Sequence, residues 1–238
     1  MIGTVAGLVL IAIGLAIGWL GSRPLHAVPR LLATEIRNPR TLRATGEYAA
    51  CKGTANAVGE TIEAPFTGTD CLVLQYEVTE RQPFGIALPW IDAPLEEGIG
   101  TTEFDLVCNR GTIRVDPTPS RFTLEVPRDV VTFGTDGGPP DRIRQFLEAR
   151  NVTAEPEWLR SLPGFGRRRF VERRVDPGEE YVVLGRIERR DGTVALGGDI
   201  VIGNGDLSDV VTARLRSTVV PILVSLSFLI AGGWLLLV

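Results

Sequence analysis

The stretch APFTGTDCLVLQYEV, residues 64–78, carries the clearest strand pattern of the chain. After a segment containing Pro65 and Gly68, large apolar side chains recur at every second position, at Leu72, Leu74, Tyr76 and Val78. A period of two places these side chains on one face of an extended chain, which is typical of a half-buried strand. The centre of the chain is therefore predicted to be a β-sheet.

Further short strands, separated by Gly, Pro and Asp turns, are predicted on the C-terminal side of this one. They cover residues 104–108, 112–115, 122–126, 130–133, 170–175, 180–189, 193–196 and 200–202. One helix is predicted over 141–150, because Ile143, Phe146 and Leu147 share a helical face. The predicted fold class is α+β: a mostly antiparallel β domain with one or two short helices, inserted between two transmembrane helices.

Both ends of the chain are apolar. Residues 2–20 and 217–238 contain no charged side chain, and a helix of either length covers the roughly 30 Å of a bilayer core. We therefore predict a first transmembrane helix over 1–21, a juxtamembrane linker over 22–45, a β-rich domain over 46–213 and a second transmembrane helix over 217–238. A cleaved signal peptide is the alternative for the first segment, but Arg23 and Pro24 stand where small residues are expected.

The arginines next to the two predicted spans set the expected orientation. They are Arg23, Arg30, Arg37, Arg40, Arg43, Arg214 and Arg216, and all lie on the side of the central domain. Because arginine-rich flanks stay in the cytoplasm, we expect a multi-pass protein of the cell membrane whose soluble domain is cytoplasmic.

Glycines mark one face of the first span, at Gly3, Gly7, Gly14, Gly18 and Gly21. Their spacing keeps them on one helical stripe, and small residues let a second membrane helix approach closely. Ser225 and Gly232 can form a matching stripe on the second span. The sequence leaves two partners open for the glycines, the chain's own second span or another copy in a homo-oligomer.

Composition excludes several functions. The net charge of −4 argues against nucleic acid as a partner. The three cysteines, Cys51, Cys71 and Cys108, are too few and too scattered for a disulfide framework or a zinc module, so they are interpreted as reduced, partly buried thiols. The only histidine, His26, lies beside the predicted membrane edge, a poor place for a catalytic triad. No catalytic, cofactor-binding or metal-binding residue is predicted, and no cofactor.

One surface is a candidate for binding. It combines aromatic residues with arginines, and its predicted members are Trp158, Phe165, Arg167, Arg168, Arg169 and Trp90. Arginines beside an anionic leaflet contribute about 1 kcal/mol each, and tryptophan favours the headgroup region. We hypothesise that this surface docks on the membrane or on an acidic partner. The alternative is a solvated loop whose arginines pair with neighbouring acids.

The succession of short motifs also suggests a family. Cys51-Lys-Gly53, Ala64-Pro-Phe-Thr-Gly68, the strand Tyr76–Glu80, Gly111–Val115 and Glu172–Gly185 follow one another between two spans. This order resembles the GIDE, or "beside a membrane" (BAM), domain family of MULAN-like membrane proteins, in the archaeal or bacterial type without a RING finger. The resemblance implies a link to RING-type E3 ubiquitin ligases. The chain's three cysteines and one histidine cannot supply the zinc ligands of a RING.

The function predicted from the sequence is therefore that of a membrane-anchored, non-catalytic binding, sensor or scaffold protein with an unknown protein partner. The alternative is a component of a ubiquitin-type transferase system, an E3 ligase whose RING is supplied by another chain.

Overall fold

The computed structural model describes residues 2–22, 34–84, 88–118, 122–133, 139–150, 168–190 and 192–237. The chain divides into two compact units. One contains residues 37–202, and the other contains residues 1–36 and 203–238. The fold class predicted from the sequence, a mostly antiparallel α+β domain between two long apolar helices, is confirmed.

The described elements follow the chain in a simple order. The helices are α1 (Ile2–Ser22), α2 (Asp141–Ala149) and α3 (Leu207–Leu237), and a short 3₁₀ turn covers Pro39–Thr41. The strands are β1 (Tyr48–Ala57), β2 (Ile62–Glu63), β3 (Asp70–Cys71), β4 (Val73–Phe84), β5 (Leu88–Thr101), β6 (Phe104–Cys108), β7 (Gly111–Val115), β8 (Phe122–Glu125), β9 (Asp129–Phe133), β10 (Arg168–Val175), β11 (Glu180–Arg190) and β12 (Thr193–Asn204).

The larger sheet closes into a barrel. Its strand order is β11-β1-β6-β7-β12-β8, and β11 also pairs with β12. Five strands therefore form a ring from which β8 extends, and the pairing of β12 with β7 is parallel. Each of these five strands therefore has a paired neighbour on both sides. Alternate side chains fill the interior, among them Phe104, Leu106, Leu196, Ile200 and Ile202.

A second sheet contains β4, the strand with the alternating apolar side chains. Its strand order is β5-β4-β10-β9. Leu74, Tyr76 and Val78 of β4 face a second apolar cluster, to which α2 contributes Ile143 and Leu147. Leu72, by contrast, lies in the core of the barrel. The predicted strand is therefore real, and its alternating side chains serve two adjacent cores.

Two boundaries differ from the sequence expectation. Residues 193–196 and 200–202 form one strand, β12, because Gly198 has φ +70° and lets the chain continue through an irregular position. The second apolar helix begins at Leu207, before the uncharged segment starts at residue 217. Asp209 accepts a hydrogen bond from the backbone N–H of Asp206 at 3.0 Å, which satisfies an N–H at the helix start.

Candidate functional site

The two long helices are each long and apolar enough to cross a membrane. They pack antiparallel, since Gly7 lies beside Gly232 and Gly21 lies beside Pro221. A Cβ atom on Gly7 would stand 2.8 Å from the carbonyl oxygen of Gly232, and one on Gly232 would stand 2.7 Å from that of Gly7. At this crossing the two backbones touch, so any side chain would force them apart.

A hydrogen bond joins the two helices further along. The buried Ser225 Oγ donates to the carbonyl oxygen of Gly14 at 2.7 Å. Gly18 leaves room for this hydroxyl, because a Cβ at position 18 would lie 2.7 Å from Ser225 Oγ. A polar hydrogen bond between apolar helices is typical of membrane helix pairs, where water is absent.

The glycine stripe therefore lies against the second helix of the same chain. Gly3 takes part more loosely, since its added Cβ would be 3.8 Å from the carbonyl of Leu235, while one on Gly21 would be 2.5 Å from Pro221 Cβ. Of the two partners that the sequence left open, the structure shows the chain's own helix. Use of the stripe between copies stays a prediction.

The outward faces of the helix pair are apolar. Trp19 and Trp234 have 66% and 63% of their surface exposed, and Leu8, Leu223 and Ile230 are also exposed. The antiparallel arrangement puts the two tryptophans near opposite ends of the pair. Exposed apolar surface on this scale is unusual for a protein in water, and tryptophan is enriched at both membrane interfaces.

Only part of the predicted arginine and aromatic surface can be described. Trp158, Phe165 and Arg167 lie outside the described residues, and Trp90 lies in β5 with its side chain outside the description.

The two remaining arginines of that surface differ sharply. Arg168 Nε lies 3.0 Å from Glu80 Oε1, and the two side chains are only 13% and 2% exposed. Arg169, the next residue, is exposed. Arg168 therefore helps to hold β10 against β4, and Arg169 is the described residue of this surface that is open to a ligand.

A buried carboxylate fixes the loop between β2 and β3. Glu172 of β10 is 1% exposed and accepts hydrogen bonds from the backbone N–H groups of Phe66 and Thr67, at 2.6 and 3.2 Å. Arg174 contacts the same loop through Thr67 Oγ1 at 3.4 Å and also lies 3.9 Å from Glu172. Because both carboxylate oxygens are engaged by backbone groups, Glu172 is suited to positioning the loop and not to proton transfer.

Phe66, at the tip of this loop, lies in an aromatic cluster. Its ring makes edge-to-face contacts with Tyr76, Phe146 and Phe170, with centroid distances of 5.2 to 5.7 Å. Gly98 leaves space for the ring of Tyr76, because a Cβ atom at position 98 would lie 2.2 Å from Tyr76 Cζ. Burial raises the pKa of the Tyr76 phenol. The motif Ala64–Gly68 is thus explained by packing: it inserts one ring into the core beside β4.

Two of the three cysteines lie on neighbouring strands, a placement that was not predicted from the sequence. Cys51 of β1 and Cys108 of β6 lie on adjacent strands, and their interaction raises the pKa of Cys51 and lowers that of Cys108. This placement follows from the antiparallel pairing of β1 with β6. No local sequence pattern indicates which distant strands pair, so the sequence contains no signal for it. Cys71 lies apart in the second core, where burial raises its pKa to about 12.

Among the described residues, no group of three or more His, Cys, Asp and Glu side chains is arranged to hold a metal ion. No family model, curated protein or solved structure matches the chain.

Proposed function

We propose that this chain is a membrane-anchored, non-catalytic binding protein that presents its β domain at the cytoplasmic face of the cell membrane. The observation that carries the proposal is the helix pair. Its inner face is joined by glycine contacts and by the Ser225–Gly14 hydrogen bond, and its outer face exposes large apolar side chains. Such a pair is stable where lipid covers the outside.

The cytoplasmic orientation is supported by charge. Arg37, Arg40 and Arg43 follow the first helix in the chain, and Arg216 lies close before the uncharged part of the second. Lysine and arginine near span ends favour the cytoplasmic side. A domain joined to a span at each of its two ends stays at the membrane surface, where a bound partner would be concentrated.

Protease protection in spheroplasts tests both parts of this proposal. An epitope tag is placed after Val238, and carbonate-washed membranes are first checked for the full chain. External protease should then remove the tag and leave the β domain intact, and detergent should make the domain cleavable. Recovery of the chain in the carbonate supernatant would refute membrane insertion. Cleavage of the domain with an intact tag would refute the orientation.

The ligand that we propose for the exposed arginine surface is the anionic leaflet itself. Arg169 is the described residue that can contact it, and one arginine near such a leaflet contributes about 1 kcal/mol. In full-length protein, phenylglyoxal should modify the Arg169 guanidinium several-fold more slowly in nanodiscs of anionic lipid than in zwitterionic ones, as measured by peptide mapping, and high salt should remove the difference. Equal rates in the two lipids would refute this contact.

A further inference from the structure

The strands β1 and β6 bring two distant cysteines to the same place. Their register pairs Thr54 with Val107 and Ala57 with Phe104. One step further, the same register sets Gly53 opposite Cys108, and Cys51 lies two residues beyond Gly53 on the same strand face. Cys51 and Cys108 are therefore diagonal neighbours on one face, and Gly53 adds no side chain between them.

Both thiols belong to the same side of the barrel wall. Cys51 is fully buried in the barrel core, and Cys108 packs against that core while keeping part of its surface exposed. Cys51 Sγ also lies 3.5 Å from the carbonyl oxygen of Arg37, and Cys108 Sγ lies 3.7 Å from that of Leu106. Each thiol therefore has a backbone carbonyl oxygen as its acceptor.

The two thiols are not equivalent. Cys51 is fully buried, whereas Cys108 keeps part of its surface exposed. The interaction between the two thiols and burial both raise the pKa of Cys51, and that interaction lowers the pKa of Cys108. Because the thiolate is the nucleophile and needs access, Cys108 is the sulfur suited to attack, and Cys51 is placed to resolve the product.

We propose that Cys51 and Cys108 form a redox pair which hydrogen peroxide oxidises to a reversible intramolecular disulfide.

The reaction balances in two steps. The Cys108 thiolate attacks one peroxide oxygen, the O–O bond breaks, and the hydroxide that leaves takes up a proton to become water; Cys108 is now a sulfenic acid. The Cys51 sulfur then attacks the Cys108 sulfur, the S–O bond breaks, and a second water leaves with the proton of Cys51. Peroxide is the oxidant, and two thiols become one disulfide. A dithiol such as dithiothreitol reverses the change by thiol–disulfide exchange.

The third cysteine provides an internal control. Cys71 Sγ donates to the carbonyl oxygen of Ile62 at 3.1 Å, is buried in the other core, and has a pKa of about 12. It shares the chain, the detergent and the oxidant with the pair, but it should remain a thiol.

The experiment uses the full chain in detergent micelles, reduced and then freed of reductant. At pH 7.5, iodoacetamide should label Cys108 at least tenfold faster than Cys71. After hydrogen peroxide at a small molar excess, non-reducing peptide mapping should show a linked pair of peptides containing Cys51 and Cys108, with Cys71 free. Dithiothreitol should restore both thiols.

Separate variants test Cys108 as the attacking thiol and Cys51 as the resolving thiol, so the test does not depend on the folding of any single variant. Cys51→Ala should leave a sulfenic acid on Cys108 that dimedone traps, and Cys108→Ser should abolish the disulfide. Cys71→Ser should form the disulfide as the parent does. Equal labelling of Cys108 and Cys71 in the parent protein would overturn the proposal, and so would peroxide treatment that yields no Cys51–Cys108 peptide or links only different chains.

Discussion

The contact between Gly18 and Ser225 allows a double-mutant test of the helix pair. Ser225→Ala removes the interhelical hydrogen bond to Gly14, which is 2.7 Å long. Bonds of this kind contribute on average about 0.6 kcal/mol and at most about 1.7 kcal/mol in membrane proteins. Gly18→Ala should break the same hydrogen bond, because the new methyl group would lie 2.7 Å from Ser225 Oγ and must displace the hydroxyl.

The two costs should not add. Once position 225 is alanine, the methyl at position 18 meets only its Cβ, at 3.5 Å, which is an ordinary contact. The double variant should therefore be more stable than the sum of the single effects by about one hydrogen bond, roughly 0.6 to 1.7 kcal/mol. Helix propensity favours alanine over glycine by about 1 kcal/mol at position 18, in both backgrounds, so it cancels in the cycle.

Unfolding in mixed micelles with increasing mole fraction of SDS measures these free energies. Replacing Trp90 and Trp158 by phenylalanine leaves Trp19 and Trp234, one on each helix, as the fluorescent reporters. All four members of the cycle are made in this background.

A matched cycle uses positions of the second helix that do not meet the first. Ser227 Oγ bonds to the carbonyl of Leu223 in its own helix, and a Cβ on Gly233 meets nothing within 4 Å. Ser227→Ala and Gly233→Ala should be additive. Additivity within about 0.3 kcal/mol for the Gly18 and Ser225 pair as well would refute the packing described above.

Three further predictions concern the β domain, with the free energy of unfolding of the full chain in detergent as the measurement. Glu172→Gln should lower it by about 2 to 3 kcal/mol, because one of two buried backbone N–H groups loses its acceptor; a loss under about 0.5 kcal/mol would contradict the positioning role. Gly98→Ala should lower the free energy of unfolding by about 1 to 3 kcal/mol, because the ring of Tyr76 must move, whereas Gly59→Ala, with open space around it, should be neutral. Equal effects of the two substitutions would argue against close packing of Tyr76 on Gly98. Burial raises the pKa of Cys71 to about 12 from 9.0, so between these values the unfolded chain loses a proton that the folded chain keeps, and stability falls as pH rises. Cys71→Ala should make this alkaline decline shallower, and an unchanged slope would count against the buried thiol.

The sequence predicted those elements whose signal is local. The alternation from Leu72 to Val78 indicated β4, and the apolar face of residues 141–150 indicated α2, because each pattern depends only on the period of one element. The apolar ends likewise predicted two long helices. The strand β12 was predicted as two strands because Gly197 and Gly198 interrupt the apolar pattern, although glycine at φ +70° lets the chain continue.

The parts that could not be predicted depend on which distant strands pair. Glu172 is surrounded in sequence by arginines, so it resembles a surface residue until β10 lies against the loop that Phe66 occupies. Arg168 was assigned to a binding surface because the sequence around Arg168 and Glu80 does not show that β10 and β4 pair in the register that sets them opposite each other. The meeting of Cys51 and Cys108 has the same cause.

The fold pairs segments that the ribosome makes early with segments that it makes late. Strand β1 pairs with β11, and helix α1 packs against α3, so an early segment in each unit must wait for a late one. At about 5 to 20 residues per second, α1 would stay without its helical partner for roughly 10 to 40 s after it emerges. In the membrane setting proposed above, its glycines are open during that interval to any other helix in the bilayer. Premature termination before residue 207 would make that exposure permanent, so truncated chains of this protein should be early substrates of membrane quality control.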